Sequence, residues 1–226
     1  MKRLLIGAIC AICALISTCA FAESTFWDST KSTEGFSLSA GLGMNVASLT
    51  NNNLGWGSKV GLNIGIMAEK PVINSLSVKA GLFYTMKGAK GGRDTGFGAR
   101  LRTTLDPGYL EIPVMASYRY QLNEQIRLQF DFGPYFAFGL HGKDVKKVSG
   151  GASSPTKTTY DLFGSDGQMN RFDFGLRFGP EIVFNNKLHA GIAYEIGLTN
   201  AMSEECNSGI KNSNFMINVG YTFYTR

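Results

Sequence analysis

Charge in this chain keeps to one side of its strands. Eleven charged residues inside eight strand-like segments read as lumen-facing, all in the same register of a two-residue alternation, and the opposite register carries none. They are Lys59, Lys79, Glu111, Arg119, Arg127, Asp131, Arg171, Asp173, Arg177, Glu181 and Glu195, six basic and five acidic. The other register is apolar, as in Phe36, Leu38, Ala40, Leu42, Met44 and Val46, then Val60, Leu62, Ile64, Ile66 and Ala68. Side chains alternate faces along a strand, so one sheet presents an oily surface and an ionic one. Lipid outside and a polar lumen inside satisfy both faces, with the eleven residues as a nearly self-neutralising lumen ion network. A soluble carrier barrel needs the reverse, an apolar cavity and a charged exterior.

The segments fall at about 36–48, 58–69, 75–87, 109–120, 125–139, 170–184, 188–199 and 214–225. Each is long enough for a tilted crossing, which takes about 9–11 residues. Connections alternate between short ones (70–74, 121–124 and 185–187) and longer ones rich in Gly, Ser and Asn. The expected fold is all-β, an eight-stranded antiparallel up-and-down transmembrane barrel with short turns toward the periplasm. Both termini then lie in the periplasm of a Gram-negative bacterium, and segments 88–107 and 140–169 are loops outside the cell.

Residues 1–22 read as an export signal: Lys2 and Arg3, an apolar stretch from Leu4 to Ile16, and a small-residue site at Ala20-Phe21-Ala22. Residues 23–35 are a polar lead-in with little order, and 36–226 the barrel. Of 22 basic and 17 acidic residues the signal removes two bases and no acids, leaving 20 against 17. A net charge of +3 implies no nucleic-acid partner. The mature chain keeps only Cys206, so no internal disulfide can form.

Outward aromatics near strand ends, Tyr118, Tyr120, Phe184 and Phe223, suit an interfacial girdle, whereas Phe83, Tyr109, Tyr135 and Tyr224 point inward. Inward glycines, among them Gly41, Gly43, Gly61, Gly65, Gly81, Gly175 and Gly191, are expected to leave room for the long ionic side chains. Pro113, Pro134 and Pro180 interrupt the pattern, since proline cannot donate to a ladder, and bulges are expected there.

Tyr109-Leu110-Glu111-Ile112-Pro113, Phe132-Gly133-Pro134-Tyr135, Arg171-Phe172-Asp173-Phe174-Gly175-Leu176 and Asn218-Val219-Gly220-Tyr221-Thr222-Phe223 resemble the PorT-like outer-membrane β-barrel family. In architecture that family is similar to the OmpA-type eight-stranded barrel. Most members of that family have no assigned activity, and a minority resemble the barrel that a protein-secretion system needs. No peptidoglycan-binding domain follows the barrel in this sequence.

Bare motifs add little. Asp173-Phe174-Gly175 lacks every other kinase element, and Ser154-Pro155-Thr156-Lys157 lacks a helix to hold its lysine against the serine. His141 beside Asp144 is the one faint acid/base pair, and His189 faces inward at the other end of the barrel. One cysteine and two separated histidines give no metal cluster, so no cofactor is expected. Lys90, Arg93, Arg100, Arg102, Lys143, Lys146, Lys147 and Lys157 crowd the long connections. They serve either solubility or contact with outer-membrane lipids, lipopolysaccharide in particular. The expected role is that of a monomeric structural or surface-interaction protein, meeting an unknown protein or host ligand through its loops. A component of an envelope assembly or secretion machine is the alternative, and a rim-sited lipid or peptide hydrolase that would use His141 ranks below it.

Overall fold

In the computed structural model, residues 26–50, 56–94, 99–150, 156–163, 167–203 and 209–226 are described. The expected signal and Cys206 lie outside them. Ten strands form: β1 Ser37–Thr50, β2 Gly57–Ile73, β3 Leu76–Met86, β4 Ala89–Asp94, β5 Ala99–Gln121, β6 Ile126–Gly150, β7 Thr156–Asp161, β8 Phe172–Phe184, β9 Leu188–Gly197 and β10 Lys211–Thr225.

Eight of them close a ring. Antiparallel pairing runs β1–β2, β2–β3, β3–β5, β5–β6, β6–β8, β8–β9 and β9–β10, and β10 returns to β1 from Ser37↔Thr225 to Thr50↔Lys211. Closure leaves no sheet edge for lipid to strand without hydrogen-bond partners. Outward side chains are apolar and exposed, as in Leu42, Val60, Leu62, Ile64, Ile66, Ile182, Ile217 and Val219. Such an area of exposed apolar surface suits a bilayer and not water.

β4 and β7 are not further staves. They pair with the ends of β5 and β6, and β5 pairs β6 without a break in direction from Ala99↔Gly150 to Gln121↔Arg127. The segments expected as loops, 88–107 and 140–169, are therefore largely a four-stranded ribbon continuing the barrel wall. At about 3.3 Å per residue, β6 with its 25 residues reaches roughly 80 Å, far more than a bilayer crossing needs. Polar residues in alternation with Leu101, Thr103 and Leu105 hold the ribbon in strand form where glycine and serine content suggested a loop.

Pro113, Pro134 and Pro180 do not shift the register. Pro113 pairs with Tyr135, Pro134 with Leu176 and Phe130 with Pro180, and the registers are unchanged on either side. The ladder loses a pair or two beside them, for example between Phe178↔Tyr194 and Glu181↔Gly191, which is what a missing N–H requires. The shifts fall elsewhere. One lies between Gly108 and Tyr109, opposite Leu140, and inverts the faces of β6 beyond it; a second lies at Leu38/Ser39, opposite Phe223, and a third at the end of β2, between Pro71 and Ile73. The second turns Tyr224 to Leu38's outward side, 45% exposed, and not into the lumen.

Inward glycines make room mainly for rings and amides, and less for ionic chains. A Cβ on Gly65 or Gly81 would fall 2.6 or 2.8 Å from the Phe83 ring. At Gly139 it would fall 2.4 Å from Phe163.

Candidate functional site: the ion-paired lumen

β3 ends one residue before Lys87, and its inward alternation carries straight on to that side chain. Lys87 is 1% exposed. Its Nζ lies 3.1 Å from Glu111 and from Asp173 and 3.2 Å from Glu195, which project from β5, β8 and β9. Arg177, two turns of the alternation along β8 from Asp173, meets Glu111 at 3.4 Å and Glu195 at 3.6 Å. The Tyr135 hydroxyl donates to Asp173 at 3.1 Å, and Lys87 Nζ stands 4.2 Å from the Tyr135 ring centre. Asn214 donates to Glu195 and is itself held by Asn45, so β1 and β10 join the same network. Two cations and three carboxylates are thus packed among neutral donors, the arrangement that desolvated charge demands.

A second group lies toward the short-turn rim. Lys79 Nζ reaches Glu181 at 2.9 Å, Asp131 at 3.1 Å and the Gln129 carbonyl at 2.8 Å. His189 bridges Glu181 and Thr222 at 3.1 and 2.6 Å. Glu69 accepts from Ser77 and Gln129 and faces Arg119 at 3.6 Å. Phe83 divides the two groups, with the Arg177 guanidinium 5.6 Å from its ring. Between them lies a cavity of about 60 Å³ lined by residues such as Asn63, Met67, Phe83, Met115 and Asn218. It has room for a few waters.

Both mouths carry further contacts. At the short-turn rim the lead-in, expected to carry little order, is paired to the end of β2: Ser32 N donates to Val72 O, Asn74 N to Thr30 O and Ser75 N to Asp28 O. Its Glu34 then turns inward to Arg119, and Arg127 lies 3.7 Å from the same carboxylate. Trp27 stacks on Tyr118 outside, adding to the expected aromatic girdle. At the opposite mouth Leu162, Phe163, Met169, Ala201, Met202 and Ile210 from the β7–β8 and β9–β10 connections pack over Leu105, Tyr109 and Tyr135. Tyr109 meets Phe163 edge-on at 5.8 Å. An apolar layer therefore lies directly above the Lys87 group.

Ten of the eleven sequence-derived residues face the lumen and are ion-paired there; Lys59 does so with Asp106 at 2.5 Å. Arg171 does not join them. It precedes β8, is exposed, and donates to the carbonyls of Gly139 and Phe163 at 3.0 Å each, because the strand starts one residue later than its alternation suggested. The eleven omit Lys87, Glu69 and Glu34. Lys87 and Glu69 share the inward register and were discoverable by carrying the alternation to the strand ends; Glu34, outside any strand, gave no signal. His141 and Asp144 lie three residues apart beyond the shift at Leu140, in unbroken register and therefore on opposite faces of β6. His141 is exposed and 2.8 Å from Tyr84, while Asp144 is buried on the other face, so no acid/base pair forms. Among the described residues no group of three His, Cys, Asp or Glu side chains is placed to hold a metal ion.

The segments that resemble a known family converge here, since Tyr109, Glu111, Tyr135 and Asp173 all surround Lys87. Residues 23–203 match the family model described as an outer membrane protein beta-barrel domain. The chain belongs to that family. Comparison with curated proteins finds no match. Among solved structures this outer-membrane barrel is similar to Ail, the attachment invasion locus protein of Yersinia pestis. Identity is 17%, over 84% of this chain and 100% of that one, with a TM-score of 0.38. It is also similar to Neisserial surface protein A, at 17% identity over 83% and 96% of the two chains and a TM-score of 0.40.

Proposed function

We propose that this outer-membrane barrel conducts nothing and catalyses nothing, and serves as a rigid, plugged pedestal for the ribbon and connections at its long-loop rim. The observation that carries this reading is the Lys87 group, in which one ammonium ties carboxylates from β5, β8 and β9 beneath an apolar layer. A lumen eight strands around is just wide enough for side chains to fill it. In this reading residues 1–22 are an export signal, the short-turn rim and both termini face the periplasm, and the barrel is a monomer. Its partners are outer-membrane lipids, lipopolysaccharide included, and a protein or host ligand met at the surface. No cofactor takes part.

Planar-bilayer recording tests the plug directly. Purified barrel should give no large, steady conductance, and a steady conductance of porin size would overturn the reading in favour of transport. A role in an envelope assembly or secretion machine is the second reading, supported by the PorT-like segments that build the Lys87 group. Purification from native membranes with a stable stoichiometric partner would favour it over a solitary pedestal.

A further inference from the structure

The ribbon formed by β4 and β7 with the outer ends of β5 and β6 has an orderly distribution of charge that cross-strand register makes readable. On the face it shares with Thr104, one row across the strands reads Gly92, Arg102, Lys147, Lys157: Gly92 pairs with Arg102, Arg102 with Lys147 and Lys147 with Lys157. All three cations are exposed. Residues directly opposite each other lie about 4.5–5.5 Å apart at Cβ, so three like charges stand shoulder to shoulder. Among the described residues none of the three is ion-paired, and the neighbouring row, Lys90, Thr104, Val145 and Thr159, brings no anion and adds a fourth exposed cation.

Two rows nearer the barrel the same face does the opposite. There Lys143 stands between Asp161 and Asp106, the latter also bound by Lys59. A ribbon built only for solubility has no reason to compensate one lysine on both sides and leave three cations together. Like charges directly opposite are unfavourable in a sheet. What relieves such a row is an anion that spans it, and an arginine beside two lysines suits phosphate groups held at a spacing of a few ångströms.

Position selects the source of that anion. The row faces sideways, away from the face that holds buried Leu105 and Asp144. Lys147 is seven residues beyond Leu140, the last exposed aliphatic side chain of β6's outward apolar run. That is about 23 Å along the strand, and less than 20 Å of height at a tilt of about 35–45°. A sideways face at that height looks onto the saccharide layer of neighbouring lipids. We infer that Arg102, Lys147 and Lys157 form a binding row for the phosphorylated saccharide of the surrounding outer leaflet's glycolipid. The inference rests on the reading that the long-loop rim is extracellular.

The test titrates purified barrel in nanodiscs with core oligosaccharide released from rough lipopolysaccharide, before and after chemical removal of its phosphates. The triple substitution Arg102→Gln, Lys147→Gln and Lys157→Gln should weaken binding of the phosphorylated form at least tenfold, and dephosphorylation should do the same to the unaltered barrel. A second triple, Lys143→Gln, Lys70→Gln and Lys187→Gln, lowers the charge equally and should bind as the unaltered barrel does. Retention of the fast-migrating folded band in unboiled gels certifies both variants. Undiminished binding in the first triple, or equal loss in both, overturns the proposal. So does tighter capture of heparin than of the oligosaccharide, which would make a soluble sulfated polymer the occupant. None of these readouts depends on conductance, so failure of the plug and failure of the row are separable.

Discussion

Lys87 and Tyr135 share one carboxylate: Asp173 accepts from the Tyr135 hydroxyl and binds the Lys87 ammonium, each at 3.1 Å, while the ring itself lies under that ammonium. The lysine is therefore solvated on one side by carboxylates and on the other by an aromatic face. Lys87→Met should leave three buried carboxylates with Arg177 as their only cation and cost about 3–5 kcal/mol. Urea unfolding in detergent micelles, followed by tryptophan fluorescence, measures it. A loss under about 1 kcal/mol would show that the group holds nothing together.

The two faces of the barrel wall should differ in kind. Ile192 is exposed to lipid, and arginine there should cost about 2–4 kcal/mol if the site lies near mid-membrane, whereas Ile192→Phe should change little. Gly65→Val on the inward face should be severe despite its apolar character, because a Cβ would come 2.3 Å from Leu82 O and 2.6 Å from the Phe83 ring. Folding yields into lipid vesicles compare the three. A tolerated valine at 65 would contradict the packing of Phe83.

Orientation can be read with thiols. In a Cys206→Ser background, Lys157→Cys should react with a membrane-impermeant maleimide on intact cells, and Lys187→Cys only after permeabilisation. The opposite pattern would invert the barrel in its membrane.

Asp28 makes the lead-in's attachment sensitive to acid. The hydrogen bond from Asn74, helped by Thr30, lowers its carboxyl below the usual aspartate value of 3.8. A lowered pKa in the attached state means that attachment is favoured above the ordinary aspartate range and weakens as pH falls through the lowered value. With Trp56→Phe in place, fluorescence of Trp27, stacked on Tyr118, should change below about pH 4. Asn74→Ala should move that change to higher pH. A Trp27 signal flat to pH 2 would detach Asp28 from this role.

Alternation alone located every stave of the barrel and the ten lumen residues that ion-pair, because a period of two on a half-lipid, half-ionic sheet tolerates no error of register. It failed where alternation stops carrying information. The shift at Leu140 inverts the faces of β6 beyond it, and a period of two does not encode that extra residue. Beyond the apolar band the outward face turns polar and glycines interrupt both faces, which is why β4 and the outer ends of β5 and β6 read as loops. Glu34 enters the lumen from outside the sheet, through tertiary contacts with Arg119 and Arg127 that no local pattern encodes. Arg171 shows the converse, a residue in phase with its strand but one position before it begins.

Closure by β1 against β10 joins residues as far apart as Ser37 and Thr225. Until the final segment arrives, every partial sheet of this chain has two raw edges, and hydrocarbon offers those edges no partner. The molecule can therefore be completed only once, and at its last step. A nascent chain halted before Lys211 has no smaller barrel to retreat to, and whatever shelters the chain on its way to the membrane must shelter all of it.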